Sequence, residues 1–264
     1  MKLELDKFCL FVGYARSGSS VVGSIIDAHP NAVISHEYNI LSSVIKDKLN
    51  RQELFDGIIA KSQNLNKKGR WSGGANGEVY NHNIEGQIKR EDSIIHVIGD
   101  KKSGSATKIL RALPNRPIEH RIDKVKRIIT ALEGKTELPC MFIHVMRNPY
   151  DIVAAQIQSR INFNFLSFLG GVKTMDVMRE LYRDRWLDVY HEDLIANPAP
   201  EIIKINDFLG LAQNKSHLDF SAKHLDFEPK LRRFEIKWPP RLKQKIKNKI
   251  IGKSEAFSRY SFKI

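Results

Sequence analysis

Phe8-Cys-Leu-Phe-Val-Gly-Tyr-Ala-Arg-Ser-Gly-Ser-Ser20 is an apolar run of strand length followed by a loop of small and polar residues. Residues 8–12 are continuously apolar, which is typical of a parallel strand buried on both faces. Gly13 and Gly18 bracket the loop, and the next apolar residues recur at helical spacing: Val21, Val22, Ile25 and Ile26. Such a loop favours anions, because unpaired N–H groups and the positive end of the helix dipole face the ligand. The stretch therefore predicts an anion site.

The loop has the glycine spacing of a nucleotide-phosphate loop but not its lysine. That motif reads G-x-x-x-x-G-K-[ST], and its Lys reaches the outer phosphates. Here Ser19 stands at the lysine position, and the fixed charge is Arg16, inside the loop. A planar guanidinium can donate two parallel hydrogen bonds to a phosphate or a sulfate. The alternative for a glycine-serine loop is a tight strand-to-helix turn without a ligand.

The composition is that of a folded, basic protein. The 264 residues are 42% hydrophobic and 28% charged, and 43 Lys and Arg against 30 Asp and Glu give a formal net charge of +13. This charge favours anionic partners: a nucleotide, a phosphorylated or sulfated substrate, nucleic acid or an acidic membrane. We expect no transmembrane segment, because no run of 18 apolar residues occurs.

The start of the chain and its two cysteines both favour a cytoplasmic protein. The first apolar run follows Met1 after a few mostly polar residues, so we expect no signal peptide. Cys9 and Cys140 lie in apolar, strand-like runs, so we expect two buried thiols rather than a disulfide or a metal site.

Strand-like and helical patterns alternate along the rest of the chain. Further strands are predicted at residues 32–35, 94–98, 140–146 and 186–190. This alternation predicts an α/β fold of three layers, in which a mainly parallel, P-loop-like five-stranded sheet is flanked by helices. We expect one domain over residues 1–264, with a lid or substrate loop at 66–92 and a basic helical segment at 236–264.

Titratable residues follow three of the predicted strands. His36 and Glu37 follow the second strand, Lys101 and Lys102 the third, and Arg147 the fourth. Ligands of open α/β sheets bind beyond the carboxyl ends of the strands, so these side chains are candidates for a site. The alternative is that they cap helices or lie in solvated turns.

Four segments, in this order, resemble the sulfotransferases that use 3′-phosphoadenosine 5′-phosphosulfate (PAPS). Tyr14-Ala-Arg-Ser-Gly-Ser-Ser20 is similar to the family's 5′-phosphosulfate loop in its arginine-containing form. Ile98-Gly-Asp-Lys101 resembles a Gly-Asp-Lys segment of some branches, and Val145-Met-Arg-Asn-Pro-Tyr-Asp151 resembles the 3′-phosphate segment. Val189-Tyr-His-Glu-Asp-Leu194, with Phe208-Leu-Gly-Leu211 after it, is similar to two further family signatures.

The resemblance implies a site for PAPS and for its product 3′-phosphoadenosine 5′-phosphate (PAP). Arg147 would hold the 3′-phosphate. The loop that would hold the 5′-phosphate and the sulfuryl group comprises Tyr14, Ala15, Arg16, Ser17, Gly18, Ser19 and Ser20.

Two departures from the family pattern affect this site. Eight residues after Arg147 the family has a Ser on the 3′-phosphate, and here that residue is Ala155; Ser159, one turn further, is the candidate replacement. The family's late Arg-Lys-Gly loop has no clear match, and Lys253 and Arg259 are candidates for its role.

Sulfuryl transfer is an in-line displacement, so positioning and charge stabilisation should dominate catalysis. Arg16 would stabilise developing charge, and Lys101 completes the predicted catalytic set. A general base must take the proton of the acceptor hydroxyl. Many carbohydrate and protein-tyrosine branches have a Glu after the second strand, as Glu37 is placed here, so we favour Glu37 as the base and take His36 second.

We therefore predict transfer of a sulfuryl group from PAPS to a hydroxyl of a carbohydrate or a small-molecule alcohol, with no metal and no nucleic acid involved. The sequence does not specify the acceptor or the oligomeric state. A P-loop nucleotide kinase-like phosphotransferase is one alternative, although it needs the lysine that is missing after Gly18. A non-enzymatic polyanion-binding protein is the other, favoured by the charge of +13.

Overall fold

A five-stranded parallel sheet forms the centre of the molecule. The computed structural model describes residues 1–73, 77–84, 92–112, 115–159, 162–225 and 227–263. The strand order is β2-β5-β1-β6-β7, and every pairing is parallel. The five strands are β1 (Lys2–Gly13), β2 (Ala32–His36), β5 (Ile94–Lys101), β6 (Cys140–Met146) and β7 (Trp186–Tyr190), and β3 (Trp71–Gly73) and β4 (Val79–Asn81) form a separate antiparallel hairpin.

Eleven α-helices lie in the part of the chain that the structure describes. They are α1 (Ser19–Ala28), α2 (Ile40–Lys46), α3 (Arg51–Lys68), α4 (Ser103–Leu110), α5 (Ile118–Thr136), α6 (Pro149–Gln158), α7 (Phe165–Leu181), α8 (His191–Ala196), α9 (Pro198–Leu209), α10 (Lys215–His224) and α11 (Pro240–Ile246).

Alternate residues of β1 enter two different cores. Phe8, Leu10 and Val12 belong to a cluster with residues of α4, α5 and α7, whereas Cys9 and Phe11 belong to a cluster with residues of α1 and α9. Side chains of a strand alternate between the two faces of its sheet, so helices cover both faces. The predicted three-layer α/β fold with a five-stranded parallel sheet is confirmed.

The structure extends several predicted elements. β1 begins at Lys2, six residues before the apolar run. The apolar pattern does not mark this first part of the strand, because residues 2–7 alternate between exposed and half-buried positions. β5 continues through Lys101 and α4 begins at Ser103, so the end of this strand predicted at residue 98 is wrong. Lys101 is consequently a buried strand residue, 2% exposed, and the register pairs it with His36 of β2.

The hairpin of β3 and β4 lies inside the segment 66–92 that the sequence predicts as a loop; residues 74–76 and 85–91 of that segment lie outside the described part. Arg70 attaches the hairpin to the sheet. Its guanidinium is fully buried and donates to Asp27 Oδ2 at 2.6 Å and to the carbonyl of Ile34 at 3.1 Å. Removing one partner of such a buried pair costs about 3–5 kcal/mol, so this contact fixes the edge of the site described below.

The two cysteines and the residues of the C-terminal segment differ in their burial. Cys9 and Cys140 are free and buried, and burial raises the pKa of each thiol. Ile246 and Ile250 of the C-terminal segment join the core, while its lysines stay at the surface. Within the described residues, no helix combines the length and the apolar character that crossing a membrane requires.

Candidate active site

A cleft of about 980 Å³ opens at the carboxyl ends of the central strands. Parallel strands bring their carboxyl ends to one edge of the sheet, which explains why the loops after β1, β2, β5 and β6 all reach this cleft. Its lining is strongly cationic. The charged residues of the lining are Arg16, Lys61, Lys101, Lys102, Arg147, Lys230 and Arg232 on the positive side and Glu37 and Glu228 on the negative side.

The loop between β1 and α1 exposes backbone donors to the cleft. Gly13, Arg16 and Gly18 have left-handed backbone conformations, with φ of 113°, 74° and 98°. Gly18 is the N-cap of α1, and no side chain caps the helix. Since the first turn of a helix has N–H groups without intrahelical partners, this end of α1 offers amide donors and a positive dipole to an anion. Ser19 and Ser20, the first residues of α1, line the same wall.

Arg147 lines the cleft beside the loop between β1 and α1. It follows β6 directly, and its Nη1 donates to the carbonyl of Arg16 at 3.3 Å while its Nη2 donates to the carbonyl of Lys230. Burial lowers the pKa of Arg147 and of Arg16, but an arginine keeps its charge at any physiological pH. The guanidinium of Arg147 therefore joins the loop to the C-terminal part of the chain and adds fixed charge to the cleft.

The segment around Lys230 and Arg232 is a part of the site that the sequence reasoning missed. Lys230 Nζ donates to Glu78 at 2.7 Å, and Arg232 donates to Glu78 and, at 2.9 Å, to the hydroxyl of Tyr80. These contacts link the hairpin to the C-terminal segment over the cleft. No apolar pattern marks the segment, and its one signal in the sequence is the presence of three cations among residues 230–233.

Lys101 is the centre of a compact polar cluster. Its Nζ donates to Ser20 Oγ at 3.1 Å and to Glu37 Oε1 at 3.2 Å, and it lies 3.3 Å from His36 Nε2. Ser20 occupies the hydroxyl position that follows the lysine of a nucleotide-phosphate loop. β5 thus supplies from a neighbouring strand the ammonium that Ser19 does not provide.

His36 and Glu37 differ as proton acceptors. Burial, together with the nearby charge of Lys101, lowers the pKa of His36 to about 2. The imidazole is therefore neutral, and its Nε2 accepts from the ammonium of Lys101. The side chain of Glu37 is half-exposed, lines the cleft and has a left-handed backbone with φ of 68°. Glu37 is one of the two carboxylates that line the cleft.

A protein-family model described as "Sulfotransferase domain" matches residues 6–262. The chain belongs to this family. No curated protein sequence matches the chain significantly.

Solved sulfotransferase structures align with most of the chain. The sulfotransferase domain of the Synechococcus PCC 7002 olefin synthase is 16% identical over 92% of this chain and 84% of its own, with a TM-score of 0.45. Mouse sulfotransferase SULT7A1, complexed with PAP, is 16% identical over 89% of this chain and 70% of its own, with a TM-score of 0.39. The sulfotransferase from Alicyclobacillus acidocaldarius is 13% identical over 96% of this chain and 94% of its own, with a TM-score of 0.44.

Not all predicted site residues of this sulfotransferase reach the cleft. The ring of Tyr14 is buried against Phe168 and His144, and the side chain of Ser17 is buried beneath the loop. Ser159 Oγ donates to the carbonyl of Ala155 at 2.6 Å, outside the cleft lining. Ala155 itself lines the cleft, but without a hydroxyl group.

Arg259 is also outside the cleft lining, and its two terminal nitrogens donate to the carboxylate of Asp193 at 2.6 and 2.8 Å. Conversely, the sulfotransferase cleft contains histidines that were not predicted. His191 begins α8, and its ring lies against Gly18: a Cβ at Gly18 would be 2.5 Å from His191 Nδ1. Burial lowers the pKa of His191 to about 3 and that of His82 to about 4, so both are neutral at physiological pH. The described residues contain no cluster of three or more His, Cys, Asp or Glu that could hold a metal ion.

Proposed function

We propose that this sulfotransferase moves the sulfuryl group of PAPS to a hydroxyl of a carbohydrate or a small-molecule alcohol. One observation carries the proposal: the cleft is lined by two cationic groups, the uncapped start of α1 with Arg16 and the guanidinium of Arg147 beside Lys230. A nucleotide with a 5′-phosphosulfate and a separate 3′-phosphate has anionic groups at two ends. The donor set of the cleft fits such a molecule.

In this proposal the two cationic groups of the lining bind different parts of PAPS. The amides at the start of α1, with Arg16, Ser19 and Ser20, would hold the 5′-phosphosulfate, and Arg147 would hold the 3′-phosphate. Cations in both groups, with few carboxylates among them, offset the charge of a polyanionic ligand. PAPS, when bound, supplies the sulfuryl group and the leaving phosphate.

The cluster around Lys101 supports the assignment of the reacting groups. Glu37 would take the proton of the acceptor hydroxyl at a carboxylate oxygen, a step that typically contributes about 10²–10⁴-fold. The ammonium of Lys101 is 3.2 Å from Glu37 Oε1 and 3.1 Å from Ser20 Oγ, so it can orient the base and stabilise charge that develops beside the start of α1. His36 is the weaker candidate, because its Nε2 faces the ammonium and its low pKa makes it a poor proton acceptor.

The outer wall of the cleft supports an acceptor with both apolar and polar surface. Trp71 and Phe227 are exposed aromatic residues of the lining, and Asn81 and His82 are polar residues of the same lining. Aromatic side chains with nearby hydrogen-bonding groups suit the ring of a sugar or a small alcohol.

Calorimetric titration tests the donor site. We expect PAP to bind at micromolar concentrations and ATP to bind at least about tenfold more weakly, a difference of about 1.4 kcal/mol. Equal binding of ATP, together with magnesium-dependent ATP turnover, would favour the kinase-like alternative. Salt-sensitive binding of heparin without binding of PAP would favour the polyanion-binding alternative.

Turnover of labelled PAPS tests the base. A panel of 4-nitrophenol, octyl β-glucoside and 1-octanol covers phenol, sugar and aliphatic hydroxyls, and the acceptor with the highest rate is used afterwards. Glu37→Gln should lower kcat about 10²–10⁴-fold, since it removes a general base while keeping its shape. His36→Ala should lower it far less. Unchanged kcat in both variants would reject this assignment.

A further inference from the structure

Asp100 is a carboxylate buried near the carboxyl end of β5, 1% exposed, and every hydrogen bond that we find to it comes from one short segment. Its Oδ1 accepts from Ser35 Oγ at 2.8 Å and from Tyr38 N at 3.0 Å. Its Oδ2 accepts from Asn39 N at 2.8 Å and from Ile40 N at 3.0 Å. The segment 35–40 runs from the end of β2 to the start of α2 and contains His36 and Glu37.

This segment has a backbone that needs support. Glu37 and Asn39 both have left-handed conformations, with φ of 68° and 72°. Such a conformation costs a residue such as Glu37 about 1–2 kcal/mol, whereas an asparagine adopts it more readily. Asn39 is the N-cap of α2, yet its side chain makes no capping hydrogen bond. Asp100 replaces the cap from the neighbouring strand, because it accepts the N–H groups at the start of α2 and brings a negative charge to the positive end of the helix.

Two consecutive residues of β5, Asp100 and Lys101, therefore fix the backbone around Glu37 and its carboxylate. Asp100 fixes the backbone after Glu37 through Tyr38 and Asn39. The carbonyl of Lys101 accepts the N–H of Glu37 at 3.0 Å, and the ammonium of Lys101 binds its carboxylate. We propose that Asp100 is a positioning residue, which aims the Glu37 carboxylate at the acceptor hydroxyl by fixing the left-handed turn at residues 37–39. This inference rests on the proposed function of Glu37 as general base.

A carboxylate suits this task better than an amide or a hydroxyl. Four donors converge on its two oxygens, and an asparagine would turn an N–H group toward at least one backbone N–H. Burial raises the pKa of Asp100, whereas the hydrogen bonds from Ile40, Ser35 and Tyr38 lower it. A carboxylate buried in a sheet is costly unless such donors satisfy it, so its four bonds explain how it is tolerated there.

A double-mutant cycle between residues 100 and 37 tests the proposal, with labelled PAPS and the acceptor chosen from the panel. Asp100→Asn should lower kcat about 10–100-fold, because an error of about 1 Å in the position of a catalytic group can cost about 10²-fold. The Kd of PAP should change by less than about twofold, since Asp100 does not line the cleft. In the Glu37→Gln background, Asp100→Asn should cost less than about threefold, because the base through which it acts is already absent.

Asp188→Asn is the matched control. Asp188 is another largely buried strand aspartate, it accepts from His144 at 2.8 Å and from Trp186 at 3.0 Å, and it does not line the cleft. It should lower the melting temperature and leave kcat within about twofold. Asp100→Ser, which keeps one acceptor oxygen without amide hydrogens, is the second variant if Asp100→Asn does not fold.

The outcomes are distinguishable. If the wild-type protein neither binds PAP nor transfers the label, the proposed function fails. If it does both, then unchanged kcat in Asp100→Asn, an equal cost in the Glu37→Gln background, or a parallel loss of PAP affinity overturns the role of Asp100. Failure of both Asp100 variants to fold also overturns it, because that result would assign the carboxylate to the stability of the sheet alone.

Discussion

Substitution of Arg147 separates the two ends of the proposed nucleotide site. A guanidinium carries five N–H donors. Among the described residues it bonds the carbonyls of Arg16 and Lys230, so N–H donors remain for an anion in the cleft. A hydrogen bond to a charged group contributes about 1.5–3 kcal/mol. Loss of such a bond corresponds to about a 10- to 150-fold rise in Kd. We expect Arg147→Ala to weaken PAP binding by this factor.

The assay is calorimetric titration with PAP and with adenosine 5′-monophosphate, which lacks the 3′-phosphate. Arg147→Ala should affect the monophosphate by less than about threefold, because the lost bond belongs to the missing group. Arg259→Ala is the control: Arg259 is half-exposed, pairs with Asp193 and lies outside the cleft, so PAP affinity should not change. An equal loss for both nucleotides, or no loss for PAP, would refute the assignment of Arg147 to the 3′-phosphate.

Three further predictions concern the walls of the cleft. Gly18→Ala should lower the free energy of unfolding by about 1–3 kcal/mol and weaken PAP binding, because Gly18 has φ of 98° and a Cβ would meet the His191 ring. Urea unfolding and calorimetry measure the two effects, and Gly134→Ala, at an open helical position, is the control. Ala155→Ser should strengthen PAP binding by about 0.5–1.5 kcal/mol, which is a severalfold lower Kd. Ser159→Ala should leave the Kd of PAP unchanged. An unchanged Kd in Ala155→Ser would contradict this geometry. The native pKa of His191, about 3, lies below the ordinary value of about 6.5, so stability is lost as pH falls below 6.5, by about 2 kcal/mol at pH 5. Urea unfolding of His191→Gln should therefore lose about 2 kcal/mol less than the wild type between pH 7.5 and pH 5.

Local patterns explain why the sequence predicts the sheet and the loop. The apolar runs at residues 8–12 and 140–146 are buried on both faces, so their composition alone marks them as central strands. The glycines at 13 and 18 have left-handed backbones in the structure, which is the property that makes their spacing informative.

Features that depend on distant partners could not be predicted in this way. Nothing near Lys101 in sequence shows that it is buried, since its partners Ser20 and Glu37 come from other elements. The same holds for Lys230, which reaches the cleft because Arg147 binds its carbonyl. The hairpin of β3 and β4 escaped prediction because its strands have three residues each and are mostly exposed or half-buried.

The position of Asp100 in a strand could not be predicted from its motif. The apolar pattern of this strand ends at residue 98, yet Gly99, Asp100 and Lys101 also belong to β5. A Cβ at residue 99 would lie 2.1 Å from the carbonyl of Cys9, so only glycine permits this approach of β5 to β1. This approach fixes β5, and Asp100 and Lys101 therefore contact the loop after β2.

Transfer of the sulfur label is the most direct test of the central claim. The purified chain is incubated with PAPS labelled in its sulfuryl group and with each acceptor of the panel, and the labelled product and PAP are measured together. We predict that one molecule of PAP appears for each labelled product, and that Glu37→Gln suppresses both. Release of PAP without a labelled product from any acceptor, or equal transfer by the wild type and Glu37→Gln, would contradict the account.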